Sequence, residues 1–111
     1  MSLDIGLYVE VDTGGDELRN IELYSDNYTG NVYPMWIEAG VDEALYESEG
    51  IEAASIIPIL EDGIRDMENC PHTYIAMNPP NGWGDSVGAL RFLRRLLTAC
   101  KDDPLALISS W

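Results

Sequence analysis

Ser2-Leu3-Asp4-Ile5-Gly6-Leu7-Tyr8-Val9-Glu10-Val11-Asp12 sets apolar residues at every second position: Leu3, Ile5, Leu7, Val9 and Val11, with Asp4, Gly6, Tyr8 and Glu10 between them. Successive side chains of a strand point to opposite faces, so this period of two reads as a half-buried β-strand. Turn formers follow in Asp12-Thr13-Gly14-Gly15-Asp16. Leu18 to Tyr24 then reads as a second strand with Ile21 and Leu23 inward, which makes an antiparallel hairpin. Two strands alone are marginal in water. The apolar face requires a helical cover, and the rest of the chain offers one.

After a polar loop over Ser25 to Asn31, Pro34 stands where a first helical turn tolerates it, and Met35, Trp36, Ile37 and Ala39 suggest a short helix ending near Gly40. A second short turn is expected over Val41 to Glu47. Between Ser55 and Glu68, Ile56, Ile57, Leu60, Ile64 and Met67 recur at helical spacing, with Glu61, Asp62, Arg65 and Asp66 on the wet side. Pro58 places the start of that helix, and Asn69 and Pro71 its end. The last helix, Ser86 to Lys101, carries Ala89, Leu90, Leu93, Leu96, Leu97 and Cys100 as an apolar stripe. Arg91, Arg94, Arg95, Thr98 and Lys101 fall on the opposite face. Ala106 to Ser110 is expected to return as a third strand beside the hairpin. The expected fold is α+β: an N-terminal antiparallel hairpin, joined by a C-terminal strand, under three or four helices. Residues 1–111 form a single domain, since 46% hydrophobic content suffices for one core.

Charge narrows the functional classes. The chain has 20 acidic and 6 basic side chains, a net charge of −14. Four of the six bases are Arg91, Arg94, Arg95 and Lys101, so residues 1–90 hold 18 acids and only Arg19 and Arg65. Such a field repels nucleic acid and anionic membrane and attracts basic partners. The densest stretch is Asp42, Glu43, Glu47, Glu49 and Glu52, which reads as the partner-binding run. The arginine face of the last helix reads as a solvated surface that neutralises neighbouring acid, or else as a site for an anionic ligand or acidic partner.

No apolar run approaches the roughly 18–20 residues that span a bilayer, and the N-terminus lacks a signal-peptide pattern, which points to a cytoplasmic address. Cys70 and Cys100 lie 30 residues apart with only His72 nearby, which excludes a zinc knuckle or Cys-x-x-Cys motif and leaves two reduced thiols. No cofactor or metal is expected. Asp26, Asn31 and His72 are the residues that could line a hydrolytic pocket, but a single histidine without a spaced acid is weak support for an enzyme. The segment Asp26 to Asn31 lacks the ligand spacing of a calcium loop.

Between the long helices, Tyr74-Ile75-Ala76-Met77-Asn78-Pro79-Pro80-Asn81-Gly82-Trp83-Gly84 surrounds one large aromatic with turn formers. Two prolines and Asn81-Gly82 predict a fixed loop in which Trp83 either plugs the end of the core or stands out as a binding anchor with Asn81. Asn78-Pro79-Pro80 matches the Asn-Pro-Pro-aromatic motif of amino-methyltransferases for three residues and then departs, because position 81 is asparagine and the glycine-rich cofactor loop is missing.

The opening Met-Ser-Leu-Asp-Ile-Gly-Leu-Tyr, the Asn31 to Trp36 segment, Ile57-Pro58-Ile59-Leu60-Glu61-Asp62-Gly63, the loop at 78–84 and Phe92-Leu93 through Ala99-Cys100 together resemble a family of small uncharacterised proteins encoded by bacteriophages and by bacterial genomes with phage-like regions. Asn81-Gly82-Trp83-Gly84 is the most specific part of that likeness. The resemblance implies a phage or prophage setting, host cytoplasm included, and carries over neither an activity nor any catalytic residue. With the acidity it suggests a non-catalytic inhibitor of a host nucleic-acid-binding complex, of the anti-CRISPR or DNA-mimic kind, whose partner is a protein with a basic surface. An immunity or antitoxin protein capping a basic toxin is the alternative, as is a small structural phage protein. Apolar residues left outside the core are compatible with a homodimer.

Overall fold

The computed structural model describes residues 2–111; Met1 lies outside the described residues. Strands β1 (Ser2–Asp12), β2 (Leu18–Thr29) and β3 (Leu107–Ser110) form one antiparallel sheet in the order β2-β1-β3. Helices α1 (Tyr33–Ala39), α2 (Asp42–Tyr46), α3 (Ile57–Asn69), α4 (Pro71–Ile75) and α5 (Ser86–Asp102) cover one face, with 3-10 turns at Gly30–Val32 and Ala53–Ile56. The α+β architecture and the third strand agree with the sequence reading.

Alternation decides which face of β1 is dry. Leu3, Ile5 and Leu7 are buried under the helices, together with Ile108 of β3. Above them α3 packs on α5, α5 crosses β2, and α1 packs on α3. Trp36, Phe92 and Tyr28 meet at the centre, with ring centroids 5.8–6.3 Å apart and tilted or edge-on contacts. The two long helices bury most of the stripe expected of them, Leu60, Ile64 and Met67 from α3 and Ala89, Leu93, Leu96 and Cys100 from α5, but Phe92, which lies outside that expectation, is also buried, while Leu90 and Leu97 are only half-buried. Gly63 allows α3 to approach α1, because a Cβ there would run into Val41 and lie 3.1 Å from the Ala39 carbonyl oxygen. Gly40 ends α1 in the left-handed region at φ 74°, as a C-terminal glycine should.

Three expectations are corrected. The polar loop over Ser25 to Asn31 is strand as far as Thr29, because Tyr24, Asp26 and Tyr28 continue the alternation across from Leu7, Ile5 and Leu3. The register shifts between Leu7 and Tyr8, where Leu7 pairs with Tyr24 and Tyr8 with Glu22. Leu23 is thus an extra residue at a β-bulge and is exposed, and Ile21 is exposed although Val9 across from it packs against the core. Finally, Pro71 opens α4 as well as following α3, so there are five α-helices among the described residues; Tyr74 of α4 is buried and donates its hydroxyl to Asp66.

Candidate protein-interaction surface

The five carboxylates of the acidic run do not share one face. Asp42 and Glu43 occupy the first turn of α2, where negative charge suits the helix dipole, and Asp42 is half-buried. Glu43 and Glu47 rim a groove of about 310 Å³ whose other walls are Ala44, Ile51, Ile56 and Ile59. Ser48 lines the same groove, with a buried Oγ that has no hydrogen-bond partner. Glu49 turns to the open face of the sheet, and Glu52 lies where the chain bridges to Leu107 of β3. Backbone bonds fix that segment against the sheet edge: Gly50 N–H donates to the Ile108 carbonyl at 2.7 Å, Ile108 N–H to Ile51 at 2.9 Å, and Ala53 N–H to Ala106 at 2.8 Å. The run is therefore displayed from ordered backbone. Its apolar companions Ile51 and Ile59, both partly exposed, were not singled out from sequence; Ile59 is an isoleucine that the α3 stripe leaves over, while Ile51 lies in an irregular segment with no periodic signal.

The basic face of α5 is largely consumed inside the molecule. Arg95 Nε donates to Asp26 of β2 at 2.8 Å, Arg94 to Glu68 of α3 at 2.7 Å, and Lys101 lies 3.2 Å from Glu61. Arg65 pairs with Asp62 at 2.8 Å. Arg91, Arg94 and Arg95 do line a groove of about 390 Å³, but only Arg91 among them has no carboxylate partner, and Asp102 closes the far end. Of the two readings of this face, the geometry supports neutralisation. Four of the twenty carboxylates are matched in this way, which leaves sixteen without an ion pair among the described residues; all five members of the acidic run are in that group.

Tyr24 packs beside Asp26 and Arg95. Burial, and secondarily the hydrogen bond its hydroxyl donates to Asp26 at 3.0 Å, push its phenol up to about 12. Burial likewise raises the Cys100 thiol to about 11, so it is held neutral as a core side chain; Cys70 is exposed, and both cysteines are free.

Trp83 is 67% exposed, which settles its placement against the core plug and in favour of display. Its loop is braced on both sides. Asn81 Oδ1 accepts from Trp83 N–H at 2.9 Å, Asn78 Oδ1 from Ser86 N–H at 2.8 Å, and Asp85 caps α5 by accepting from Gly88 N–H at 2.7 Å. The Tyr28 hydroxyl joins the loop to the sheet, donating to the Asp85 carbonyl and accepting from its N–H at 3.2 and 3.1 Å. Among the described residues no hydrogen bond joins the three candidates for a hydrolytic pocket: Asp26 is bonded to Arg95, Asn31 to Thr29, and His72 is exposed on α4. Among the described residues no three His, Cys, Asp or Glu side chains are grouped to hold a metal ion, and no helix is long and apolar enough to cross a membrane. Comparison with protein-family models, with curated proteins and with solved structures finds no match.

Proposed function

We propose that the chain is a non-catalytic binding protein whose acid-rimmed groove between α2 and α3 takes a basic segment of a partner protein. One observation carries this reading: Glu43 and Glu47 border an apolar floor of Ile51, Ile56 and Ile59, and among the described residues no basic side chain lines the groove or pairs with them. Lysine and arginine have apolar stems and charged heads, and a groove with a greasy floor and an anionic rim suits both parts. Unmatched charge on ordered backbone favours capture of a basic surface, with attraction that weakens steeply in salt. Such a surface is what a nucleic-acid-binding complex offers to phosphates, so the favoured role is that of an acidic inhibitor occupying such a site, in keeping with a phage or prophage setting. Trp83 supplies a second, apolar contact point.

The test is capture from host lysate by wild type and by Glu43→Gln/Glu47→Gln, at low and moderate salt, with duplex DNA as competitor. A basic protein held by wild type, displaced by DNA and lost at least about tenfold in the amide variant is the expected result, in line with two charge contacts of 1 kcal/mol or so each. Equal capture by both proteins would remove the groove from the interaction.

A further inference from the structure

The register of the sheet places a second group of side chains on the face turned away from the helices. Because Leu3, Ile5 and Leu7 face the core, Asp4, Gly6 and Tyr8 face outward. Across from Tyr8 stands Glu22 on β2; across from Gly6 stand Ser25 and Ser109. Trp111 extends the β3 ladder by one pair, its N–H donating to the Asp4 carbonyl at 2.9 Å and its carbonyl accepting from Asp4 N–H at 3.0 Å. Gly6 has no side chain to fill the middle of this face. The result is a cleft of about 420 Å³ over Gly6, walled by Tyr8, Asn20, Glu22, Glu49, Ser109 and Trp111.

The wall chemistry is that of a receptor for an organic cation. Two carboxylates arrive from opposite sides, Glu22 from the β2 edge and Glu49 from the segment held against β3, and neither has an ion pair among the described residues. Among the described residues no lysine, arginine or histidine lines the cleft. Three aromatic residues do, Tyr8, Tyr24 and Trp111, and Trp111 is 65% exposed although its backbone is fixed in the ladder. Aromatic faces attract cations through the ring quadrupole, and indole does so best. A guanidinium is planar and weakly hydrated, so it stacks on such a face while its N–H groups bond carboxylates; a compact ammonium uses less of this wall.

We propose that this cleft binds the side chain of an arginine presented by the partner protein. The proposal deepens the reading above and rests on it for the partner's basic character, but it involves a different face. Glu49 is thereby assigned to the sheet cleft, while Glu43 and Glu47 belong to the groove.

The experiment follows the three tryptophan indole N–H resonances, assigned with Trp→Phe variants, as N-acetyl-arginine-methylamide is added to the full chain. The neutral isostere N-acetyl-citrulline-methylamide and methyl glucoside are the controls. The expected result is a saturable shift of Trp111 with the arginine amide alone, Trp36 and Trp83 staying still, and binding about fivefold or more weaker in Glu22→Gln/Glu49→Gln. Glu43→Gln/Glu47→Gln should titrate like wild type. No saturable shift, an equal response to citrulline, indifference to the amide variant, or a saturable response to the glucoside in its place would each overturn the proposal. Loss of arginine binding with intact groove-dependent capture would refute the cleft alone; the converse would refute the groove alone.

Discussion

The β1–β2 hairpin has two halves of similar composition and opposite fate. In the half near the chain start, Leu3, Ile5 and Leu7 are sealed under α1, α3 and α5, and β3 pairs with β1 from Ile5 to Tyr8. Beyond the bulge at Leu7/Tyr8, Val9 and Val11 continue the same face but are only half-buried, and Ile21, across from Val9, is exposed; Leu18, across from Asp12 on the other face, and Leu23 at the bulge are exposed too. Alternation names the face a side chain takes. It does not say whether anything lies on that face, because the cover is brought by helices distant in sequence.

The contrast makes predictions of graded size. The largest effect belongs to Ile5→Ala, which empties a fully buried site beneath the helices; a loss of about 2–5 kcal/mol in chemical denaturation is expected. Gly6→Ala comes next. Its Cβ would lie 2.6 Å from the Tyr24 carbonyl oxygen, a backbone atom fixed by pairing beside the bulge, so a cost of about 1–3 kcal/mol should appear as a lower Tm. An intact Tm would mean that the junction between the halves yields easily.

Alkaline pH should loosen the covered side of that junction. The Tyr24 phenol, pushed by burial to about 12 from the ordinary 10.0, has its folded value raised. Its contribution to stability is therefore complete below pH 10 and declines as pH climbs from 10 towards 12. Tm measured across this range should fall, and Tyr24→Phe should fall less steeply. The smallest effect is expected of Ile21→Ala in the projecting half, within about 0.5 kcal/mol of wild type. A loss comparable to that of Ile5→Ala would show that the projecting half is covered in solution.

The same distinction explains what sequence could and could not disclose. Helices α3 and α5, the αL glycine after α1 and the third strand were legible because each rests on local periodicity or a local stop signal. The extension of β2 to Thr29 was hidden because Ser25, Asp26 and Asn27 have turn composition. They are strand because β1 offers partners, a nonlocal cause. Charge was legible as a total but not as an arrangement. Arg95 and Asp26 are 69 residues apart in sequence and bonded in space, and through such pairs the arginine face loses its freedom while the acidic run keeps its own. The sheet cleft was the least visible feature of all: Gly6, Glu22, Glu49 and Trp111 are spread along nearly the whole chain and converge only through strand register.

The projecting half of the hairpin also governs how the protein moves through solution. The long dimension of 53 Å greatly exceeds the other two, 26 and 18 Å, and the radius of gyration is 14.9 Å. A compact chain of this length would have about 13 Å. An elongated particle experiences more friction than a sphere of equal mass and is excluded from more of a porous gel. A single copy should elute early, toward the position of a heavier globular standard. Mass must then be read from light scattering or sedimentation equilibrium, because elution volume would overstate the mass of a single copy.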